Sequence, residues 1–190
     1  MIELFGFAFN IDFLRLILIV LPMYFTNSSA LLLGGGKLPL DFGLKFFDGK
    51  PLFGKSKTWK GAINAIIAGT VTALILTIIF SNTAYVCPEV QCQKPLEFVP
   101  DYVVYGFLSS FGAILGDALG SFAKRRLGIE SGKESVILDQ LPFVLVALAV
   151  TSGMFLPNLE EFVVIIILTI IMHRFANWLA FNLHLKKVPY

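Results

Sequence analysis

Long apolar runs alternate with short polar stretches along this chain, without the sustained two-residue alternation of a strand-built protein. Five runs are long, or nearly long, enough for a membrane helix, which needs about 20 mostly apolar residues to cross a hydrocarbon core about 30 Å thick. They cover residues 11–33, 62–80, 102–123, 141–156 and 162–183. The fourth is the shortest. At about 1.5 Å per residue it reaches only ~24 Å, so a start one turn earlier is expected. Backbone in lipid must satisfy its own hydrogen bonds, so the spans are expected to be helices. A transmembrane barrel would need alternating segments of about 10 residues, and the pattern holds none.

Composition agrees. Of 190 residues, 56% are hydrophobic and 15% are charged, against about 45–50% and 25% in soluble domains. Disorder and an ordinary soluble enzyme are both excluded. The expected fold class is therefore an all-α integral membrane protein of five transmembrane helices, one domain over residues 1–190 with functional loops at 34–61 and 124–140. The first apolar stretch carries Asp12 and Arg15 and lacks a basic start and an A-x-A site, so it reads as a span rather than a signal peptide.

The 15 lysines and arginines are sorted along the chain. The loop after the first span holds Lys37, Lys45, Lys50, Lys55, Lys57 and Lys60; the loop after the third holds Lys124, Arg125, Arg126 and Lys133; the C-terminal tail holds Lys186 and Lys187. Lys94 is alone in the loop after the second span. Positive charge marks the cytoplasmic face, so the N-terminus is expected outside and the C-terminus inside. Cys87 and Cys92 share the outer loop, where a disulfide and two free thiols are both open readings.

The first inner loop is long for a connector and rich in glycine and lysine, a composition suited to close backbone approach and to phosphate. Asp41, Asp48 and Trp59, a residue of buried type, argue against a mere topological anchor. Residues 49–56, GKPLFGKS, satisfy the pattern of a phosphate loop. That motif needs a preceding strand in a soluble sheet, which this pattern lacks, so a P-loop fold is rejected.

The second inner segment is more specific. Asp117 lies in an apolar span, where a carboxylate is expensive and marks a functional site by default. Asp117, Ser121 and Lys124 fall at i, i+4 and i+7 on one helical face, with Arg125 beside them. Gly112, Gly116 and Gly120 form a neighbouring stripe that invites another helix to pack closely. A bland alternative pairs Asp117 with Lys124 or Arg174. Asp139 is open to two roles, the N-cap of the fourth span or a second metal ligand facing Asp117. Asp12 and Arg15 are expected to neutralise each other. Two carboxylates, clustered cations and glycine-rich loops suit a polyphosphate with Mg²⁺, and the membrane body suggests a lipid co-substrate.

The segment Gly116–Gln140 resembles the signature of the CDP-archaeol synthases through Gly116-Asp117, Ser121, Lys124-Arg125-Arg126, Gly128-Ile129 and Asp139-Gln140. The first loop is similar to the same family through Gly34-Gly35-Gly36, Pro39, Asp41-Phe42-Gly43, Asp48-Gly49, Gly54 and Lys57-Thr58-Trp59-Lys60-Gly61. The resemblance implies transfer of CMP from CTP to an unsaturated archaeal diether glycerol phosphate, with Mg²⁺, in a bilayer and with no nucleic-acid partner. It implies Asp117 and Asp139 as metal ligands with Lys124 as a further catalytic group. Lys57, Thr58, Lys60, Ser121, Arg125, Asp41, Asp48 and Gly54 are the implied phosphate and nucleotide contacts. A more distant likeness is to the CDP-diacylglycerol synthases, whose Gly-His-Gly-Gly run is missing and whose signature Arg is Gln140 here. The rival readings are an ester-lipid enzyme of that kind and a small transporter using Asp117 for a coupling ion. Transporters place repeats and broken helices in matching halves, and the polar residues here gather in two loops instead.

Overall fold

The structure is a computed structural model and describes residues 2–4, 7–9, 12–80, 99–131, 133 and 135–182. The cysteine pair, Lys94 and the lysines of the C-terminal tail lie outside the described residues. Five helices follow one another: α1 (Phe13–Leu32), α2 (Trp59–Phe80), α3 (Val99–Arg126), α4 (Val136–Val150) and α5 (Leu159–Asn182). A short antiparallel hairpin of β1 (Ile2–Leu4) and β2 (Phe7–Phe9) precedes them, so the fold is not purely helical. Three helices, α1, α2 and α3, are long and apolar enough to cross a membrane, while α4 is a shorter apolar helix.

The fourth element is displaced toward the N-terminus by more than the expected turn, running from Val136 to Val150. Its N-cap is Ser135, and Asp139 lies in the first turn, where its carboxylate accepts the Ser135 amide at 2.8 Å. Asp139 thus reaches back to the cap without being the cap. Asp12 is the N-cap of α1, accepting the Leu14 and Arg15 amides at 3.1 and 3.2 Å. Arg15 instead meets Glu161 at 3.6 Å and donates to the Leu156 carbonyl at 2.9 Å. The expected Asp12–Arg15 pair is replaced because Asp12 is engaged by the helix start. Glu161 and Asn158 exchange reciprocal bonds at the start of α5, a capping box.

Helix α3 packs against α1, α2 and α4 and forms the centre of the bundle. The glycine stripe does what its spacing predicts. A Cβ at Gly112 would meet the Ala147 Cα at 2.7 Å, and one at Gly116 would meet the Phe143 Cα at 2.7 Å. Only hydrogen side chains let α3 and α4 backbones come this close. Pro22 inside α1 supplies no amide to the Leu18 carbonyl, and the Tyr102 hydroxyl of α3 donates to that oxygen at 2.5 Å. Tyr105 donates to Ile19 at 2.7 Å.

Candidate active site

The first loop is an ordered structure. Leu40 donates to Lys57 and Trp59 to Leu38, and Pro39 pairs with Thr58, so the two ends of the loop run antiparallel. This clasp places Lys57 immediately before α2. Thr58 ends the loop as a cap, its hydroxyl accepting the Gly61 amide at 3.2 Å. Gly36 leans on Thr58, and a Cβ there would come within 2.8 Å of the Lys60 Cβ. Asp41 holds the middle together. One carboxylate oxygen accepts the Gly43 amide and the other accepts those of Phe53 and Gly54, all at 3.0 Å. Burial pushes the Asp41 pKa up, but the backbone amides of Gly54, Phe53 and Gly43 outweigh it and hold the carboxyl below its ordinary 3.8. Trp59 is partly exposed and tilts against Phe42, where a buried position was expected.

The loop then docks on α3. Lys57 Nζ donates to both oxygens of Asp117, at 2.7 and 2.5 Å. The bland pairing of Asp117 with Lys124 does not form, because seven residues of helix separate them by about 10 Å along the axis. Lys124 turns instead to α4 and donates to both Asp139 oxygens, at 2.7 and 2.9 Å, and to the Lys133 carbonyl at 2.5 Å. Arg174 is exposed on α5. The end of α3 is closed by a Schellman motif, with Gly128 at φ +77°, the Gly128 amide on Arg125 and the Ile129 amide on Lys124. Gly128-Ile129 is thus a helix stop that fixes where Lys124 and Arg125 are presented.

Arg125 differs from its neighbours in its ion pairing. It is 7% exposed, its Nε, like that of Arg126, has no hydrogen-bond partner, and among the described residues no carboxylate pairs with it. Gly54, at φ +99°, lies beside it, with a Cβ position 4.0 Å from the Arg125 Nε and 3.2 Å from the Ser131 hydroxyl. Gln140, one residue after Asp139, is 1% exposed, and neither its amide nitrogen nor its amide oxygen has a partner. A buried guanidinium nitrogen and a buried amide without partners are costly, and in native proteins such groups call for an explanation.

The structure therefore joins Lys57, Asp117, Lys124 and Asp139 in two ion pairs bridging the loop, α3 and α4, with Arg125 and Gly54 adjoining. Ser121 is buried one turn before Arg125. Asp41 and Asp48 are engaged within the loop region, Asp48 by Arg126 at 2.8 Å, and Lys60 is exposed at the start of α2. Sequence reasoning passed over Gln140 as a site residue, although a polar side chain in the apolar start of α4 was the available signal. It also passed over Arg126, whose guanidinium lies 5.0 Å from the Phe46 ring and 4.8 Å from that of Phe122.

Two partly exposed aspartates, on helices whose backbones touch, offer hard oxygen donors. Among the described residues no three His, Cys, Asp or Glu side chains gather into a cage. A Mg²⁺ ion carried on phosphates and waters asks for only one or two carboxylates, so the donor set fits it.

The family model for CDP-archaeol synthase (CarS-like) matches residues 9–190. The chain belongs to the CDP-archaeol synthase family. Among its curated relatives, the CDP-archaeol synthase of Methanocaldococcus jannaschii is 40% identical over 172 residues, covering 89% of this chain and 92% of that protein. That of Archaeoglobus fulgidus is 37% identical over 184 residues, covering 93% and 97%. A solved structure described as an intramembrane enzyme for archaeal membrane lipids biosynthesis superposes with a TM-score of 0.73 at 30% identity, over 87% of this chain and 94% of that one. This CDP-archaeol synthase family member is accordingly an enzyme, a nucleotidyltransferase, and a membrane protein.

Proposed function

We propose that this chain transfers CMP from CTP to an unsaturated archaeal diether glycerol phosphate, releasing pyrophosphate. All five helices would span the bilayer, with the N-terminus outside and the two loops and the C-terminus in the cytoplasm. The observation that carries the reading is Arg125, a buried guanidinium beside Gly54 with no carboxylate partner among the described residues, at the end of the helix that carries Asp117 and Lys124. Such a cation is complementary to an anion that arrives from outside the protein, and a triphosphate supplies one.

In this reading Asp117 and Asp139 would hold Mg²⁺ beside the triphosphate. When bound, the ion would neutralise phosphate oxygens as a Lewis acid. Lys57 and Lys124 would turn from their aspartates to the phosphates, and Arg125 would receive charge developing on the leaving pyrophosphate. An oxygen of the lipid phosphate attacks the α-phosphorus of CTP in line; the bond to the bridging oxygen of the β-phosphate breaks and pyrophosphate departs. Lys60 and the first turn of α2, capped by Thr58, would add donors for phosphate. Ser121 and the Gly54 backbone would orient the nucleotide. Asp41 and Asp48 would act by holding the loop in shape.

The test is a panel of CTP, dCTP, ATP and UTP against diether and diester lipid phosphates with purified protein, read as pyrophosphate release. Turnover confined to CTP with diether lipid is expected. Turnover of diester lipid alone would move the assignment to a CDP-diacylglycerol synthase, and ion flux in liposomes without CTP would move it to a transporter.

A further inference from the structure

The first loop carries a second ordered feature that the ion-pair site does not use. Lys45 pairs with Pro51, Phe46 donates to Lys50 at 2.9 Å, and Leu52 donates to Leu44 at 3.2 Å, which makes residues 44–52 a small hairpin. Its turn is closed by Gly49, at φ +75°, donating to Phe46 at 2.9 Å. The tip is clamped to the end of α3. Phe46 stands edge-on to Phe122 at 5.3 Å, Arg126 lies against both rings, and the same guanidinium binds Asp48 at 2.8 Å and the Pro51 carbonyl at 2.5 Å. On this rigid support Phe47 is 99% exposed, with Leu44 at 59% and Phe42 at 62% on the same loop. An apolar tip held out by a built clamp calls for a partner.

The charge around it says which. Asp41 is buried under backbone amides and Asp48 is paired with Arg126, while Lys37, Lys45, Lys50 and Lys55 are all exposed. The outward charge of the loop is therefore positive. The clamp also sits at the last turn of α3, whose length and composition suit a membrane span. Exposed aromatics on a loop that also exposes four lysines, at the end of such a helix, match the head-group layer, where apolar rings bury and lysines meet lipid phosphates. We propose that the 44–52 hairpin is an interfacial anchor: Phe47 and Leu44 enter the head-group region of the bilayer in which the helices sit, and Lys45 contacts phosphate there. Because the same loop ends at Lys57, the anchor would fix the depth of the ion-pair site relative to the head-group layer. The proposal rests on membrane residence and is independent of which nucleotide or lipid is the substrate.

The test places a nitroxide on Phe47→Cys in the full chain with Cys87→Ser and Cys92→Ser, reconstituted in nanodiscs containing anionic lipid. Collisional relaxation by oxygen, which partitions into lipid, is compared with that by a water-soluble nickel chelate; Lys55→Cys is the aqueous reference. The label at 47 is expected to favour oxygen several-fold over the reference, and Lys45→Glu is expected to shift it toward the aqueous phase. Equal nickel accessibility at 47 and 55 would overturn the anchor. Shielding from both relaxants would overturn it in favour of a protein partner, and an unchanged depth in Lys45→Glu would overturn the lysine contact.

Discussion

Tyr102 and Tyr105, in the N-terminal half of α3, and Arg125, at its C-terminal end, are all buried polar side chains on one helix. The tyrosines donate to Leu18 and Ile19 at 2.5 and 2.7 Å, and nearby Ser110 and Thr26 bond to each other at 2.8 Å. At the other end Arg125 Nε, Arg126 Nε and both amide atoms of Gln140 have no partner among the described residues. The first region is a finished hydrogen-bond network whose cost was met when the helices packed. The second leaves buried polar atoms without partners among the described residues. The contrast separates polar groups that hold the fold from polar groups that, in the function proposed above, would meet a ligand.

The largest effect that tests this contrast is expected from Asp117→Asn. It removes the charge facing Lys57 without changing shape, and turnover should fall by about 10²–10³-fold. Thermal unfolding should move little, since the pair is partly exposed. Wild-type turnover in a folded Asn variant would end the assignment of this end to catalysis. Arg125→Met comes next. It should raise the KM for nucleotide about 10-fold or more, near 1.4 kcal/mol, while unfolding temperature stays level or rises because an unpartnered buried cation is gone. A drop in stability with unchanged KM would make Arg125 structural and dissolve the comparison. Tyr102→Phe should behave in the opposite way, with kinetics unchanged. Stability should fall by about 0.6–1.7 kcal/mol, toward the upper figure because Pro22 leaves Leu18 no helical donor.

The smallest effect concerns Asp41. Its carboxyl is held below the ordinary 3.8, so the stability it gives the loop is fully present above that pH and is lost as pH falls through the depressed value. Limited proteolysis of residues 37–57 should show protection that persists to pH 3.8 and fails only below it. Asp41→Asn, which leaves one acceptor for three amides, should cost about 1–2 kcal/mol of loop stability and flatten that dependence.

Much of this was legible in one dimension. The apolar runs located all five helices, and the four-residue glycine spacing marked a close-packing face on α3, though not the helix that fills it. The family signature was legible as well, because residues 116–140 and 34–61 carry chemistry in contiguous strings. Asp41 and Asp48 were recognisable as unusual loop carboxylates, but their partners were not. Gly43, Phe53 and Gly54 meet Asp41 only through the folding of the loop, and Arg126 meets Asp48 across 78 positions of chain. Where α4 starts was also missed, because Ser135 caps it without a side-chain bond and residues 136–140 mix polar with apolar.

The sequence by itself determined which segments are helices, which face of α3 is small and which is charged, and that the cations concentrate in two loops. Hydrophobic length, residue size and charge are properties of the residue and its immediate neighbours, so they survive in a linear string. Only the tertiary structure decided that Lys57 takes Asp117 across 60 positions, that Lys124 turns to Asp139, and that Arg125 is left with no carboxylate among the described residues. Pairing depends on where separate elements come to rest, and that is set by close contacts such as Gly116 on Phe143, which no local pattern contains.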